Sequence, residues 1–333
     1  MLRERPVEIM IGKTMQPLLI RTRINSCDVF GAVFGHRTRL LGMFLALLLF
    51  ITSFPVFSAI RIRDDAGNLI TLPHPARRVV TLAPHLTELV YAAGAGDRLV
   101  GTVSYSDYPS AAVDIPRVGN SHQIDIERLI ALKPDLVIVW RHGNPARQVE
   151  LLRKLEVPLF YSDPRKLADV SRTIVQFGML LGVQSHAQRT ADHFNFQLKK
   201  LALRYSGLAP VRTFFQVSDK PLFTLSNQTI VGDVIRVCGG INVFGNLLLP
   251  APSVTREAVI HQNPEVIISA QASTTSLDKL DVWKNFPVIT AVRNANLFVV
   301  ETDLLSRPGP RIIDGAISIC EKLELARIKR QQK

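Results

Sequence analysis

The chain has 333 residues, 47% of them hydrophobic and 20% charged, with 40 Lys and Arg against 28 Asp and Glu for a formal net charge of +12. The charge is spread along the chain without a Lys/Arg block or an interleaving of aromatic and basic residues, so it reads as a solvated surface and not as a nucleic-acid footprint. Three cysteines are too few for a cysteine-built metal centre once two of them are joined.

Leu40 to Ile51 (LLGMFLALLLFI) is an apolar run preceded by Arg37 and Arg39. It is too short to span a bilayer comfortably. With the small residues Ser58 and Ala59 after it, the run reads as a secretory signal cleaved near Ser58 or Ala59. A buried helix is the alternative, but no amphipathic face or cap accompanies it. Residues 1–32 are a long forerunner for a signal, and a start nearer Val33 is expected. No Cys follows the run, so no lipid anchor is expected. Cleavage after Ser58 leaves 275 residues with a net charge of +8, a length that suits two lobes. Cys27 leaves with the leader. Cys238 and Cys320 remain in an exported chain, where they are expected to be joined, with two inert buried thiols as the alternative. Such a bridge is worth about 4 to 5 kcal/mol in the chain-entropy account.

Residues 60–73 read as a hairpin turning at Asp65 to Asn68, and Val79 to Leu82 as the first buried strand. A turn at Ala83-Pro84-His85 leads to a helix from Thr87 to Ala93, stopped by Gly94. A strand over Leu99 to Val103 empties into SYSDYP, Ser104 to Pro109. Asp125 starts a helix with Glu127 in its first turn, and the strand Leu136 to Trp140 follows. Asn144 as N-cap and Pro145 as first helical residue predict a helix to Leu155, then a strand over Pro158 to Tyr161. From Lys166 to Tyr205 the pattern is helical, interrupted only near Gly182 to Ser185. A stiff connector between lobes is expected there. The second lobe begins with a strand over Arg212 to Val217, a loop through Phe223, and a helix Thr229 to Cys238 stopped by Gly239-Gly240. A strand over Leu297 to Glu301, a loop over Asp303 to Pro310 and a terminal helix containing Cys320 close the chain.

One stretch occurs twice. Residues 127–138, ERLIALKPDLVI, align with residues 257–268, EAVIHQNPEVII, at an offset of 130 residues. Each copy is a helix at apolar 3.6-residue spacing, a Pro-containing breaker and a short apolar run that suits a doubly covered parallel strand. A helix feeding such a strand is half of a βαβ unit. The fold class is therefore α/β, with two Rossmann-like lobes, each a mainly parallel sheet flanked by helices, bridged by a long rigid helix. The expected organisation is a leader over 1–58, an N-terminal lobe over 59–164, a helical bridge over 165–207 and a C-terminal lobe over 208–333.

In open α/β sheets ligands sit outside the carboxyl ends of the strands. That rule gathers His85, Ser104 to Tyr108, Trp140 to Asn144, Phe223 to Ser226 and Asp303 to Arg307 into one cleft between the lobes. No G-x-S-x-G elbow, no phosphate-cradling G-x-x-x-x-G-K and no His or Cys pair at metal-ligand spacing occurs. A non-enzymatic binder with no catalytic residue, no metal site and no cofactor is expected. His85 is the candidate single ligand, with His122 and His142 behind it, although a lone loop His is ordinarily solvated polar surface.

The segments RVVTLAPHLTELVYAAGAG, SYSDYP, ERLIALKPDLVIVWRHGN, RVCGGINVFG and SVTREAVI, in that order, together resemble the periplasmic cobalamin-binding proteins of vitamin B12 ABC importers. The resemblance spans about Arg78 to Cys320, and the first half of these signatures recurs in the wider class III receptors for haem and siderophores. It implies a periplasmic monomer that holds cobalamin or a related corrinoid with little closure of its lobes and delivers it to the permease dimer of an inner-membrane ABC transporter. Haem or an iron siderophore is the alternative cargo. By the resemblance Tyr105 and Phe223 contact the ligand from opposite walls, and Asp303, Leu304, Leu305, Ser306 and Arg307 form the contact loop of the second lobe. Trp140 joins them from its strand end, and Cys238 and Cys320 match the family's disulfide. Glu127 and Glu257 match the acids that dock on the transporter, while each also suits the helix dipole with no partner at all. Ser121 and Ala251 stand where the family carries cleft tryptophans, and Leu304 and Leu305 where an aromatic is expected. His85 replaces a small side chain and offers an imidazole to cobalt or iron.

Overall fold

The computed structural model describes residues 59–271 and 278–332. The expected leader over 1–58 lies outside the described residues. The chain opens with the hairpin β1 (Ile60–Arg63) and β2 (Leu69–Leu72), turned by Asp64, whose carboxylate accepts from the N–H groups of Ala66 and Asn68 at 2.9 and 2.8 Å.

The first lobe then alternates strands and helices. These are β3 (Val79–Thr81), α1 (Pro84–Ala93), β4 (Leu99–Gly101), α2 (Ile126–Ala131), β5 (Leu136–Trp140), α3 (Ala146–Lys154) and β6 (Leu159–Ser162). Its sheet is parallel in the order β4-β3-β5-β6. Two helices follow, α4 (Leu167–Leu180) and α5 (Gln184–Tyr205). The second lobe holds β7 (Val211–Asp219), β8 (Leu222–Thr224), α6 (Ile230–Val237), β9 (Gly240–Asn242), α7 (Arg256–Gln262) and β10 (Val266–Gln271). It continues with α8 (Asp278–Asp281), α9 (Thr290–Arg293), β11 (Leu297–Glu301), α10 (Thr302–Ser306) and the terminal α11 (Ile312–Gln331). Its parallel strands run β9-β7-β10-β11, and β8 is an antiparallel addition to β7.

The two sheets share one strand order, and the sequence repeat sits at the same place in each. Helix α2 and strand β5 begin 130 residues before α7 and β10. Both helices end on a residue with positive φ followed by proline, Lys133 (46°) before Pro134 and Asn263 (42°) before Pro264. The left-handed residue stops the helix and the proline prevents its resumption, so each strand starts at a fixed angle to its helix. Both faces of the repeated strands are covered. Leu136 and Ile138 enter one core and Val137 and Val139 another, which is why the run is apolar at every position.

The lobes are not separate cores. One apolar core continues from Leu86 and Phe160 through Phe177 on α4 and Phe194 on α5 to Val211, Phe215, Ile235 and Ile319 in the second lobe. The expected stiff connector is thus a helical pair. It turns at Gly182, whose φ of 69° admits no side chain without strain and whose Cβ would meet Pro75 at 2.9 Å. The backbone N–H of Leu167, at the start of α4, donates to Asp233 on α6 at 3.0 Å, and α5 returns along about 33 Å to end at Tyr205 beside Gly239.

Cys238 and Cys320 are joined, fastening the end of α6 to α11. Around the bridge Arg327 donates to the carbonyls of Cys238, Gly239 and Ala209 at 2.7, 3.2 and 2.8 Å. Replacing both cysteines by serine is expected to lower stability by about 2 to 5 kcal/mol, read as a lower urea midpoint at unchanged slope. An unchanged midpoint would show that Arg327 and its carbonyl clamp suffice.

Candidate functional site

Helix α1 starts at Pro84, three residues before the expected Thr87, because proline's fixed φ suits the first helical position. His85 therefore sits inside the helix, not in a solvated turn, and is only 2% exposed. Its ring meets Trp140 edge-on at 5.2 Å, and its Nε2 is buried with no hydrogen-bond partner. Burial, with the nearby charge of Arg307 in second place, lowers its pKa from 6.5 to about 3, so the ring is neutral at ordinary pH.

One turn further along α1, Glu88 is buried and faces the second lobe. Its carboxylate accepts from Arg311 at 2.7 and 3.0 Å and from Arg307 at 3.2 Å. Arg307 also reaches Asp107 of SYSDYP at 2.6 Å and Asp303 at 2.9 Å, while the Arg311 guanidinium lies 4.0 Å from the ring centre of Tyr108. The hydrogen bond from Arg307 holds the Asp107 carboxyl below its usual pKa. Burial alone would lower the pKa of Arg307, but Asp107, Asp303 and Glu88 together outweigh it and raise it. This cluster joins the middle of α1 and the SYSDYP loop to the segment following β11.

The SYSDYP loop is fixed from below and open above. Thr81, Thr87 and Thr102 form a buried hydroxyl triangle with spacings of 2.7, 2.7 and 3.1 Å, and Thr102 donates to Ser106 at 2.7 Å. Arg117 donates to the Ser106 carbonyl at 3.0 Å. Tyr105 is held at a φ of 67°, costly for a non-glycine residue, and its side chain is 77% exposed. It lines an open pocket of about 800 Å³ with Ser104, Asn120, Ser121, His122 and Gln123. The loop after β9 leaves the same strand position in the second lobe as the SYSDYP loop does in the first. Leu248 and Leu249 there are 87% and 65% exposed, and Ala251 stands 130 residues after Ser121.

The structure thus brings His85, Trp140, the SYSDYP loop and Arg307 together. Phe223 is partly buried on β8, bridged to Ser253. The expected loop over Asp303 to Pro310 begins instead as helix α10, because β11 runs straight into Thr302 and Asp303 suits the helix's first turn. Within it Asp303 and Leu304 are partly buried, Ser306 is exposed, and Leu305 packs into the core. A second correction concerns Asn144, which does not cap α3; Pro145 occupies that place, its carbonyl accepting from Gln148 and Val149 at 3.0 and 3.1 Å. The Asn144 amide is used elsewhere, accepting from the Trp140 N–H and donating to the Leu82 carbonyl, both at 2.8 Å. Glu88, Arg311 and the leucines at 248 and 249 were not expected. A lone acid within the apolar run LTELV and two arginines four apart around Pro308 and Pro310 were the available signals.

Glu127 and Glu257 are both exposed second residues of short helices, capped by Asp125, which accepts from Arg128 N–H at 2.9 Å, and Thr255, which accepts from Ala258 N–H at 3.1 Å. Its own N–H and then Thr255 hold the Glu257 carboxyl below its usual pKa. Among the described residues no group of three or more His, Cys, Asp or Glu is arranged to hold a metal ion.

A profile described as "Periplasmic binding protein" matches residues 79–304. The chain is 38% identical over 264 residues to a protein named vitamin B12-binding protein from Vibrio parahaemolyticus serotype O3:K6 (strain RIMD 2210633), covering 79% of this chain and 95% of the relative. It is also similar to the crystal structure of the periplasmic vitamin B12-binding protein BtuF of Vibrio cholerae, with a TM-score of 0.71 and 35% identity over 76% of this chain and 98% of that one. The periplasmic haem-binding protein RhuT from Roseiflexus sp. RS-1, in apo form, shares the fold at a TM-score of 0.65 and 22% identity, over 75% of this chain and 99% of that one.

An unfolded His85 takes up a proton near pH 6.5 and the folded one only near 3, so between these values the unfolded state binds more protons. The stability it contributes is complete above pH 6.5 and is lost as pH falls towards 3. By pH 4.5 the loss should reach about 2 to 3 kcal/mol relative to His85→Phe, which cannot titrate. Parallel pH profiles of the two proteins in urea denaturation would rule this out.

Proposed function

The chain belongs to the periplasmic binding protein family, and within it we propose that this protein is a periplasmic receptor that captures cobalamin or a close corrinoid and delivers it to an inner-membrane ABC transporter. The observation that carries this reading is the near end-to-end correspondence with a vitamin B12-binding protein, 95% of which aligns with this chain. Residues 59–164 and 208–333 serve as the two lobes and residues 165–207 as the bridge. The receptor acts as an exported monomer, without catalysis or a cofactor of its own; the corrinoid is cargo.

In this reading Tyr105, Trp140 and the Ser121 loop form one wall of the cleft. Phe223 and the exposed Leu248 and Leu249 form the other, with Asp303, Leu304 and Ser306 at its floor. Arg307 is committed to Glu88 and Asp107, and Leu305 supports the floor from the core. His85 backs Trp140 and does not reach the metal of the ligand, since its Nε2 is buried. Ser121 and Ala251 present little flat surface, so contact with a planar macrocycle falls to Tyr105 and the aliphatic rim.

Calorimetric titration of residues 59–333 with cyanocobalamin should give a 1:1 complex, with haemin and a ferric siderophore titrated alongside. Uptake of an iron ligand without cyanocobalamin would keep the fold and overturn the cargo.

Delivery is assigned to Glu127 and Glu257. They occupy equivalent places in the two lobes and give one exposed carboxylate each, as docking on a two-fold symmetric permease requires. The double reversal Glu127→Arg with Glu257→Arg should leave cyanocobalamin affinity unchanged and abolish its uptake by cells. Undiminished uptake would return both acids to the role of helix-dipole partners.

A further inference from the structure

The pocket wall formed by residues 120–123 lies outside both sheets. Its segment closes on itself through a bridge between Gly119 and Ile124. Asn120 turns it, its Oδ1 accepting from the N–H groups of His122 and Gln123 at 2.9 Å. Its stem is held where the Ser104 N–H donates to the Gly119 carbonyl at 2.8 Å, and its far side is tied to the lobe by a pair of amide side chains four residues apart at the start of α3.

Gln148 engages Ile124 at two points, its Oε1 accepting from the Ile124 N–H at 3.0 Å and its Nε2 donating to the Ile124 carbonyl at 3.1 Å. A neighbouring strand would offer the same donor and acceptor. Asn144, itself buried, donates to the Ser121 carbonyl at 3.0 Å and the Leu82 carbonyl at 2.8 Å while accepting from the Trp140 N–H. Both of its N–H groups are used. Asn144 thereby fixes three strand-end segments to one another, those carrying α1, Trp140 and Ser121. Neither amide belongs to the pocket lining, which is Ser104, Tyr105 and residues 120–123.

We infer that Asn144 and Gln148 are positioning residues for ligand capture, holding the Asn120 to Gln123 wall in its binding shape through Ser121 and Ile124. The inference rests on the reading of the cleft as a corrinoid site and names what gives one wall of that site its form. Asn144→Asp and Gln148→Glu preserve shape and acceptor but turn the donating nitrogen into an oxygen facing a carbonyl. Gln148→Ala removes both bonds without adding a charge. Each variant should weaken cyanocobalamin binding by about tenfold or more and accelerate hydrogen exchange at the amides of residues 120–124, at temperatures well below its melting point. Glu150→Gln, on the same helix but paired with Arg153, should change neither. Affinity within twofold of the parent, or unaltered exchange at 120–124 in Gln148→Ala, would overturn the inference. If the parent binds no cyanocobalamin, the cargo reading falls, and exchange at 120–124 decides the positioning role: faster exchange in the variants supports it and unaltered exchange overturns it.

Discussion

Glu88 is the constraint on which the arrangement of the two lobes depends. A buried carboxylate is costly to remove from water and is retained only when it is paired and hydrogen-bonded. Here the partners are two guanidinium groups more than two hundred residues away, in the other lobe. With both arginines on Glu88, and Arg307 paired also with Asp107 and Asp303, it is removal of both guanidinium groups that would strand the buried carboxylate, where an unpaired partner of a buried pair costs about 3 to 5 kcal/mol. Such a pair adds no more to overall stability than an apolar contact of equal volume, but it admits one geometry. Arg307 extends that geometry to Asp107, and Arg311 to the face of Tyr108, so the SYSDYP loop and the floor of the cleft are set by the same ions.

Two other features act in the same direction. The apolar core that crosses from lobe to lobe along α4 and α5 contains Phe177, Phe194 and Tyr205, and opening the lobes widely would expose part of it. The helical pair is itself clamped at Gly182 and at Asp233. Core, helices and a buried ion cluster thus all oppose wide opening of the lobes, and under the proposed reading a site so held would lose less ordering entropy on binding than one that must close.

The backbone plan was legible in the sequence because it rests on local period and punctuation. The repeat at 127 and 257 marks the equivalent helix and strand of each lobe, since an apolar face, a breaker and a continuously apolar run are all short-range signals. The strand from Leu136 to Trp140 and that from Leu297 to Glu301 fall where expected. What was not legible is where side chains go once strands are brought together. Asn144 has the sequence context of a cap, yet its amide serves Trp140 and Leu82, a carbonyl 62 residues away. His85 looks like a loop residue until Pro84 is seen to begin the helix. Leu305 reads as a contact residue until α10 turns it inward. The Asn144 bonds join segments distant in sequence, which no local pattern records, whereas the helix starts at Pro84 and Thr302 rest on local signals that compete with the turn reading.

The pseudo-symmetry of the scaffold makes the difference between its two rims informative. Equivalent loops leave β4 and β9, and a symmetric ligand would suit equal rims. Here the loop after β4 carries Asn120, Ser121, His122 and Gln123 beside Tyr105, and the loop after β9 carries the exposed Leu247, Leu248 and Leu249 ahead of Ala251. For a cargo seated between these loops, as proposed, turning it over would place its polar groups against the leucines, where they would lose water without gaining partners. Under the proposed reading the two loops would set the orientation of the cargo, which leaves its affinity to be tuned by residues such as Ser121 and Ala251 that do not hold the lobes together.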